Sequence, residues 1–162
     1  MKKINKTFSE NMDNGVPQSF DIVRPEVWPE RENERIKELI SGIAGIAGDA
    51  VKMFGEVNER FFYAPAVIYL CMDKRLTSWS MFDLGAISQS IMLAAAERGL
   101  ATMPAVELVH YPGVLRSCLD IPDSLSVVFG IAIGYEDSLH PINKFKSTRR
   151  PVSDVARFSG VK

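Results

Sequence analysis

Apolar positions recur along this chain with two different periods, and the switches between them mark out its elements. Ile4, Phe8 and Met12 stand four apart within the polar residues 2–13, which predicts a helix burying one stripe. Asn14-Gly15 stops it. Pro17, Pro25 and Pro29 exclude a continuous helix over Val16–Pro29. That stretch reads as a loop wrapped over the surface and pinned by Phe20, Ile22 and Trp28. The helical period returns from Glu30, with Ile36, Leu39, Ile40 and Ile43 facing inward. Within Ser41–Gly48, each of Gly42, Gly45 and Gly48 lowers helix stability by roughly 1 kcal/mol relative to alanine. The run therefore predicts a break between two helices or a mobile flap. Asp49–Arg60 is helical again, and Phe61–Pro65 ends it. Ala66–Met72 is continuously apolar, the pattern of a strand buried on both faces, and Asp73-Lys74-Arg75 brings it to the surface.

The longest apolar helix follows, over Ser78–Gly99. Ser80-Met81-Phe82-Asp83 reads as a capping box, in which a hydroxyl and a carboxylate satisfy the unpaired amides of the first turn. Gly99 after Arg98 suits a left-handed end with a cation beside the last carbonyls. Leu84, Ile87, Ile91 and Ala94 recur at helical spacing, and Met81, Phe82, Met92 and Leu93 widen the apolar surface beyond one stripe. Such a helix is expected to be central and buried against more than one neighbour. Gly85, Ser88, Ala95 and Gly99 form a small face. It suits close packing within one subunit or against the same helix of a second copy.

Leu100–Val106 leaves this helix in an extended form around Pro104. Pro112–Leu119 is a short helix with proline at its start, burying Val114, Leu115 and Cys118. Ser126–Tyr135 is the second clear strand, and its glycines permit close approach of another backbone or a ligand. From Glu136 the chain loses apolar character and ends in a tail that lies over its own subunit or reaches a neighbour. The result is a mixed α/β layer fold. With two clear strands, its sheet needs contributions from the chain ends or from a partner.

Composition narrows the function. The 162 residues suit one domain, with residues 1–60 a helical and loop segment, 61–135 the core and 136–162 an extended tail. The net charge of −1 gives no global electrostatic case for nucleic acid or an anionic membrane. The basic cluster Lys144–Arg150 is short, with Phe145 its one stacking aromatic. No apolar run reaches the roughly 18 residues that span a bilayer, and no signal-peptide core follows Met1–Lys6. Cys71 and Cys118 lie in apolar contexts without metal-ligand spacing, as expected of buried thiols in a reducing cytoplasm. His110 and His140 have no acidic or thiol cluster beside them. No metal is expected, and each histidine reads as a surface or hydrogen-bonded loop residue.

Several segments, in order, resemble the FMN-dependent nitroreductase family. They are Asp83–Ala86 with Gln89–Ala95, Gly99–Pro104, Leu115–Pro122, Phe129–Tyr135 and the tail Pro141–Pro151. Together they extend from Phe61 to Phe158. The resemblance implies an α+β fold, a three-layer sandwich around a central antiparallel or mixed sheet, in an intertwined homodimer with FMN at its interface. It implies electron transfer from NAD(P)H through the flavin to a nitroaromatic, quinone or similar acceptor. No catalytic side chain is implied, because the flavin carries the chemistry. Pro104, Ala105, Val106 and Glu107 match the segment whose backbone passes the flavin ring, and Lys146 and Arg149 match tail cations that meet the FMN phosphate. Family members carry an Arg-Arg-Ser-x-Arg-like motif and a Pro-Ser-x-x-Asn-x-Gln-Pro-Trp-like motif ahead of this region. Neither occurs here, so the sequence reads as an N-terminally shortened member. The alternative is a catalytically inactive, dimeric scaffold or binding protein.

Overall fold

A computed structural model describes residues 1–160. The chain forms two compact units. One comprises Met1–Trp28 with Lys52–Asp137, and the other Pro29–Val51 with the chain from Ser138 onward.

The first unit begins with helix α1, Lys2–Asp13, which buries Ile4 and Phe8 as its spacing predicts. It ends at Asn14, followed by Gly15 at φ +65°. Helix α3, Phe54–Glu59, leads into a tight turn, Phe61–Tyr63, in which all three aromatic residues have positive φ. Strand β1, Ala66–Asp73, helix α4, Trp79–Glu97, and strand β2, Ala101–Ala105, come next. A 3₁₀ turn over Val106–Val109, helix α5, Pro112–Leu119, and strand β3, Leu125–Gly134, complete the unit. Among the described residues the strands form an antiparallel sheet in the order β1-β3-β2, and the fold is α+β.

The third strand comes from neither chain end nor a partner. It is β2, the extended segment around Pro104, paired so that Ala101 faces Gly134 and Ala105 faces Gly130. Proline is tolerated there because β2 lies at the sheet edge, where one side of the strand has no ladder to serve. Strand β1 also lies at an edge. It is half-buried along most of its length, with Met72 alone fully buried, so its continuous apolar pattern does not mean burial on both faces. Central β3 takes that role, burying Val127, Ile131 and Ala132. The core gathers Phe8, Phe61, Leu108, Tyr111, Leu115 and Val127. Phe8 meets Phe61 and Tyr111 edge to face, each at 5.0 Å between ring centres.

The loop Val16–Trp28 is fastened by a clamp. Asp21 Oδ2 accepts from Arg116 Nη2 of α5 at 2.6 Å and from the Val127 amide of β3 at 2.7 Å. Arg116 Nη2 also donates to the Leu125 carbonyl. The two partners are 95 residues apart, and no local pattern announces their pairing.

In the second unit, helix α2 spans Glu30–Ala47 without interruption and ends at Gly48, φ +54°. The break expected in the glycine run thus falls at its last residue, Gly48, while Gly42 and Gly45 lie within the helix. Gly42 is where the Phe145 ring packs, since a Cβ there would come within 3.0 Å of it. The space offsets the poor helix propensity of glycine. Part of the tail thus packs on α2, through the 3₁₀ turn Pro141–Lys144 and Phe145. His140 Nδ1 accepts from the Ile142 amide at that turn's start, as a loop histidine does.

Candidate functional site

The segment Pro104–Glu107 runs off the end of β2 into the 3₁₀ turn. Pro104 is exposed, Ala105 buried, and Val106 and Glu107 are half-buried. The first amides of any helical turn lack partners within it, so those of Val106 and Glu107 are not used by the turn they start. The turn is held from below by Leu108, which is fully buried against Gly130 of β3. A Cβ at Gly130 would lie 2.5 Å from Leu108 Cβ. The close approach foreseen for this strand's glycines is thus made by side chains: Leu108 at Gly130, and the Pro65 ring at Gly134.

His110 ends the turn as a buried residue, correcting the expectation of a surface or hydrogen-bonded loop position for it. Its ring meets Phe20 edge to face at 5.3 Å, and Arg24 covers Phe20 at 4.8 Å. The Ser19 amide donates to the His110 carbonyl at 2.9 Å. Burial holds the imidazole below its ordinary proton affinity; Glu107 opposes that shift and Arg24 adds to it. A cavity of about 20 Å³ is bordered by Glu107, His110, Asn58 and apolar groups of α1 and the Phe61 turn. Sequence spacing carried no sign of Asn58, whose buried Oδ1 has no hydrogen-bond partner.

Lys146 and Arg149 belong to the second unit and are exposed. Arg149 Nη1 donates to Ser147 Oγ at 2.6 Å and to the Thr148 carbonyl at 3.0 Å. Among the described residues neither cation makes an ion pair.

Helix α4 departs from its sequence reading at both its start and its surface. It begins at Trp79, where Ser78 caps it without a side-chain hydrogen bond. The Ser80 amide donates to the Thr77 carbonyl and the Met81 amide to the Ser78 carbonyl. Ser80 thus already lies inside the helix, too late to serve the first amides, and the capping box does not form. Its end follows expectation: the Leu100 amide donates to the Ala95 carbonyl and the Gly99 amide to the Ala96 carbonyl, with Gly99 at φ +71°. Arg98 Nη1 reaches the Ala94 carbonyl. The helix is not buried within this chain, where Ala95 is its one fully buried residue. Trp79 is 85% exposed, Phe82 78% and Leu93 61%. On the small face Ala95 is packed, while a methyl group added at Gly85 would meet nothing within 4 Å.

An antiparallel sheet with a long apolar helix and a proline-bearing edge strand running into a short turn defines an α+β protein. The chain belongs to the nitroreductase family, whose family model matches residues 2–135. It is 33% identical over 141 residues to a 4-nitrobenzoate reductase of Nocardioides sp. (strain LMS-CY), covering 83% of this chain and 57% of that relative. It is 31% identical to a chloronitrobenzene nitroreductase of Comamonas testosteroni, covering 89% of this chain and 67% of the other. It spans 57% and 46% of the two 4-nitrobenzoate reductases it matches, about half their length. Its fold is that of the FMN-dependent nitroreductase NfnB from Mycobacterium smegmatis, solved with NADPH. The TM-score is 0.87 at 22% identity, covering 98% of this chain and 73% of that one. No helix among the described residues is long and apolar enough to cross a membrane.

Proposed function

We propose that this chain acts as an FMN-dependent oxidoreductase, passing electrons from NAD(P)H to a nitroaromatic, quinone or similar acceptor. The similarity to 4-nitrobenzoate reductase over 83% of the chain carries this reading. The donor sets are consistent with it. Lys146 and Arg149 are exposed cations that no carboxylate among the described residues pairs, which suits a phosphate dianion. Pro104–Glu107 offers backbone donors at the start of a turn, which suits the polar edge of a flavin ring. The cavity beside Glu107 is of water size, so flavin would be held on exposed surface rather than inside it.

The chemistry supplied by bound FMN is hydride acceptance and two-electron reduction of the acceptor, which asks no nucleophile of the protein. This chain's own part is to bind and orient. Lys146 and Arg149 would neutralise the phosphate. The amides at Val106 and Glu107 would hold the ring edge, and Leu108 in its socket on Gly130 would keep those amides in place. A second copy of the chain would cover the exposed side of α4, giving a homodimer. The free thiols Cys71 and Cys118 and the reliance on NAD(P)H fit a cytoplasmic location.

The test is purification followed by denaturation. A yellow protein should release FMN and should oxidise NAD(P)H when given 4-nitrobenzoate. Lys146→Ala with Arg149→Ala should weaken FMN binding by roughly tenfold or more while leaving the fold intact. A colourless protein that takes up no added FMN would reject the enzyme reading and favour a dimeric scaffold.

A further inference from the structure

The loop Val16–Trp28 runs past His110 as a strap with few attachments. From Pro17 to Val27 it forms neither helix nor strand. Among the described residues, the one backbone–backbone hydrogen bond of that stretch runs from the Ser19 amide to the His110 carbonyl, at 2.9 Å. The Tyr111 hydroxyl donates to the Val16 carbonyl at 3.1 Å. Between that bond and the Asp21 clamp, the Phe20 ring lies edge to face with the His110 ring at 5.3 Å. The Arg24 guanidinium sits over the Phe20 ring at 4.8 Å. His110 is 7% exposed, and Tyr111 is the other ring beside it, at 6.5 Å. Such surroundings accept a neutral imidazole, whereas an imidazolium there loses its hydration. Arg24 of the strap repels that charge and Glu107 of the turn attracts it, with burial the largest effect. Glu59 of α3 borders the same small cavity as His110. A segment held by so few bonds is where a fold opens first.

We propose that the strap is a pH-sensitive latch, held shut over neutral His110 and opened when that ring takes up a proton. Burial sets the sign. The closed strap binds the proton less readily than the open one, so falling pH favours opening. With an open-state value near 6.5, opening rises by at most about tenfold between pH 7.5 and 5.5. Carboxylates ordinarily titrate near pH 4 and guanidinium groups above 12, so histidine is the side chain whose ordinary range this window spans. Opening frees the His110 carbonyl and unpins the end of the turn whose start carries Val106 and Glu107. Phe20 and His110 are thereby positioning residues for that turn, and their bearing on flavin rests on the function proposed above.

The test is amide hydrogen exchange of the full chain, read by NMR as protection factors so that the intrinsic pH dependence of exchange cancels. The Ser19 amide reports the strap, and the amides of the β1–β3 ladder report the whole unit. Protection of Ser19 should fall by about three- to tenfold from pH 7.5 to 5.5. It should change little with urea below the unfolding transition, the mark of a local opening, while the ladder follows global unfolding. The fall should vanish in His110→Phe, or in His110→Gln should the larger ring not be accepted; His140, kept in both, is thereby controlled for. Ser19 protection that is constant with pH overturns the proposal. So does a fall that survives loss of the histidine. So does a Ser19 amide that shares the ladder's protection and urea dependence, because the ring then titrates only in the unfolded chain; this last result needs no variant. FMN is judged separately. A native protein that binds no FMN defeats the function reading and leaves the exchange result standing. A protein that binds FMN with Ser19 protection unchanged refutes the positioning role, since a ligand of the closed form must suppress opening.

Discussion

Gly130→Ala tests the socket that supports the candidate flavin segment. Gly130 is not among the residues with positive φ, so its backbone accepts alanine without strain. The cost comes from contact alone. The new methyl would lie 2.5 Å from Leu108 Cβ, 3.3 Å from Cγ and 3.0 Å from Cδ1. Ordinary carbon contacts begin near 3.5 Å, so the pair must separate by about 1 Å. Leu108 is fully buried and cannot swing into solvent. Overpacking of this kind costs about 1–3 kcal/mol, offset by about 0.5 kcal/mol because alanine restricts the unfolded chain. A net loss of about 1.5 kcal/mol lowers Tm by roughly 3–6 °C in a chain of this size. Denaturant and thermal unfolding of Gly130→Ala, Leu108→Ala and the double variant measure it. Leu108→Ala alone should cost about 2–5 kcal/mol through the cavity it leaves. The double variant should be more stable than the sum of the singles by about 1 kcal/mol, because the methyl enters vacated space. Strict additivity, or a Gly130→Ala protein as stable as the native one, would refute the socket. If the turn also carries flavin contacts, Gly130→Ala should weaken FMN binding alongside stability.

Three further outcomes follow from other positions. His110 has a lowered proton affinity in the folded state because it is buried, so the unfolded chain binds the proton more readily. Stability is then full above the unfolded value near 6.5 and falls as pH drops toward the lower folded value; His110→Phe should lose less stability than the native chain between pH 7.5 and 5.5 in urea titrations. Tyr69 has a buried hydroxyl without a partner, and burial pushes its proton affinity up. Tyr69→Phe should therefore raise stability by about 1 kcal/mol in the same assay. Gly85→Leu has open space around it within the chain, so the fold should survive while sedimentation shows loss of the proposed homodimer; Ala95→Leu, at a packed site, should damage the fold itself.

The elements legible in the sequence are those set by short-range pattern. Ile4 and Phe8 mark α1, the proline at its start marks α5, and the apolar runs mark β1 and β3. Strand β2 was visible only as an extended stretch, since five residues with a proline carry too little period, and its pairing with β3 is a tertiary fact. Gly48 ends α2 as a glycine of that run can, whereas Gly42 does not break it, because the packing of Phe145 there lies outside any local window. The shifted start of α4 has the same character, a choice between two nearby serines that differ little in intrinsic preference. At the candidate site, Pro104–Glu107 and the cations Lys146 and Arg149 came from resemblance to a family. Asn58, the Gly130 socket and the Asp21–Arg116 clamp need coordinates, because each joins residues far apart in the chain.

The two edges of the sheet are defended unequally. Pro104 interrupts the row of donors along β2. Over Ala66–Met72, β1 has neither proline nor charge, and among the described residues it pairs with β3 alone. A long apolar edge is a template for another strand. Refolding therefore becomes a race between two reactions of different order. Closure of the sheet proceeds at a rate independent of concentration, whereas edge-to-edge capture between unfinished chains accelerates with it. The fraction of native protein recovered from denaturant should fall as the chain is made more concentrated, and β1 is the segment that sets where the race turns.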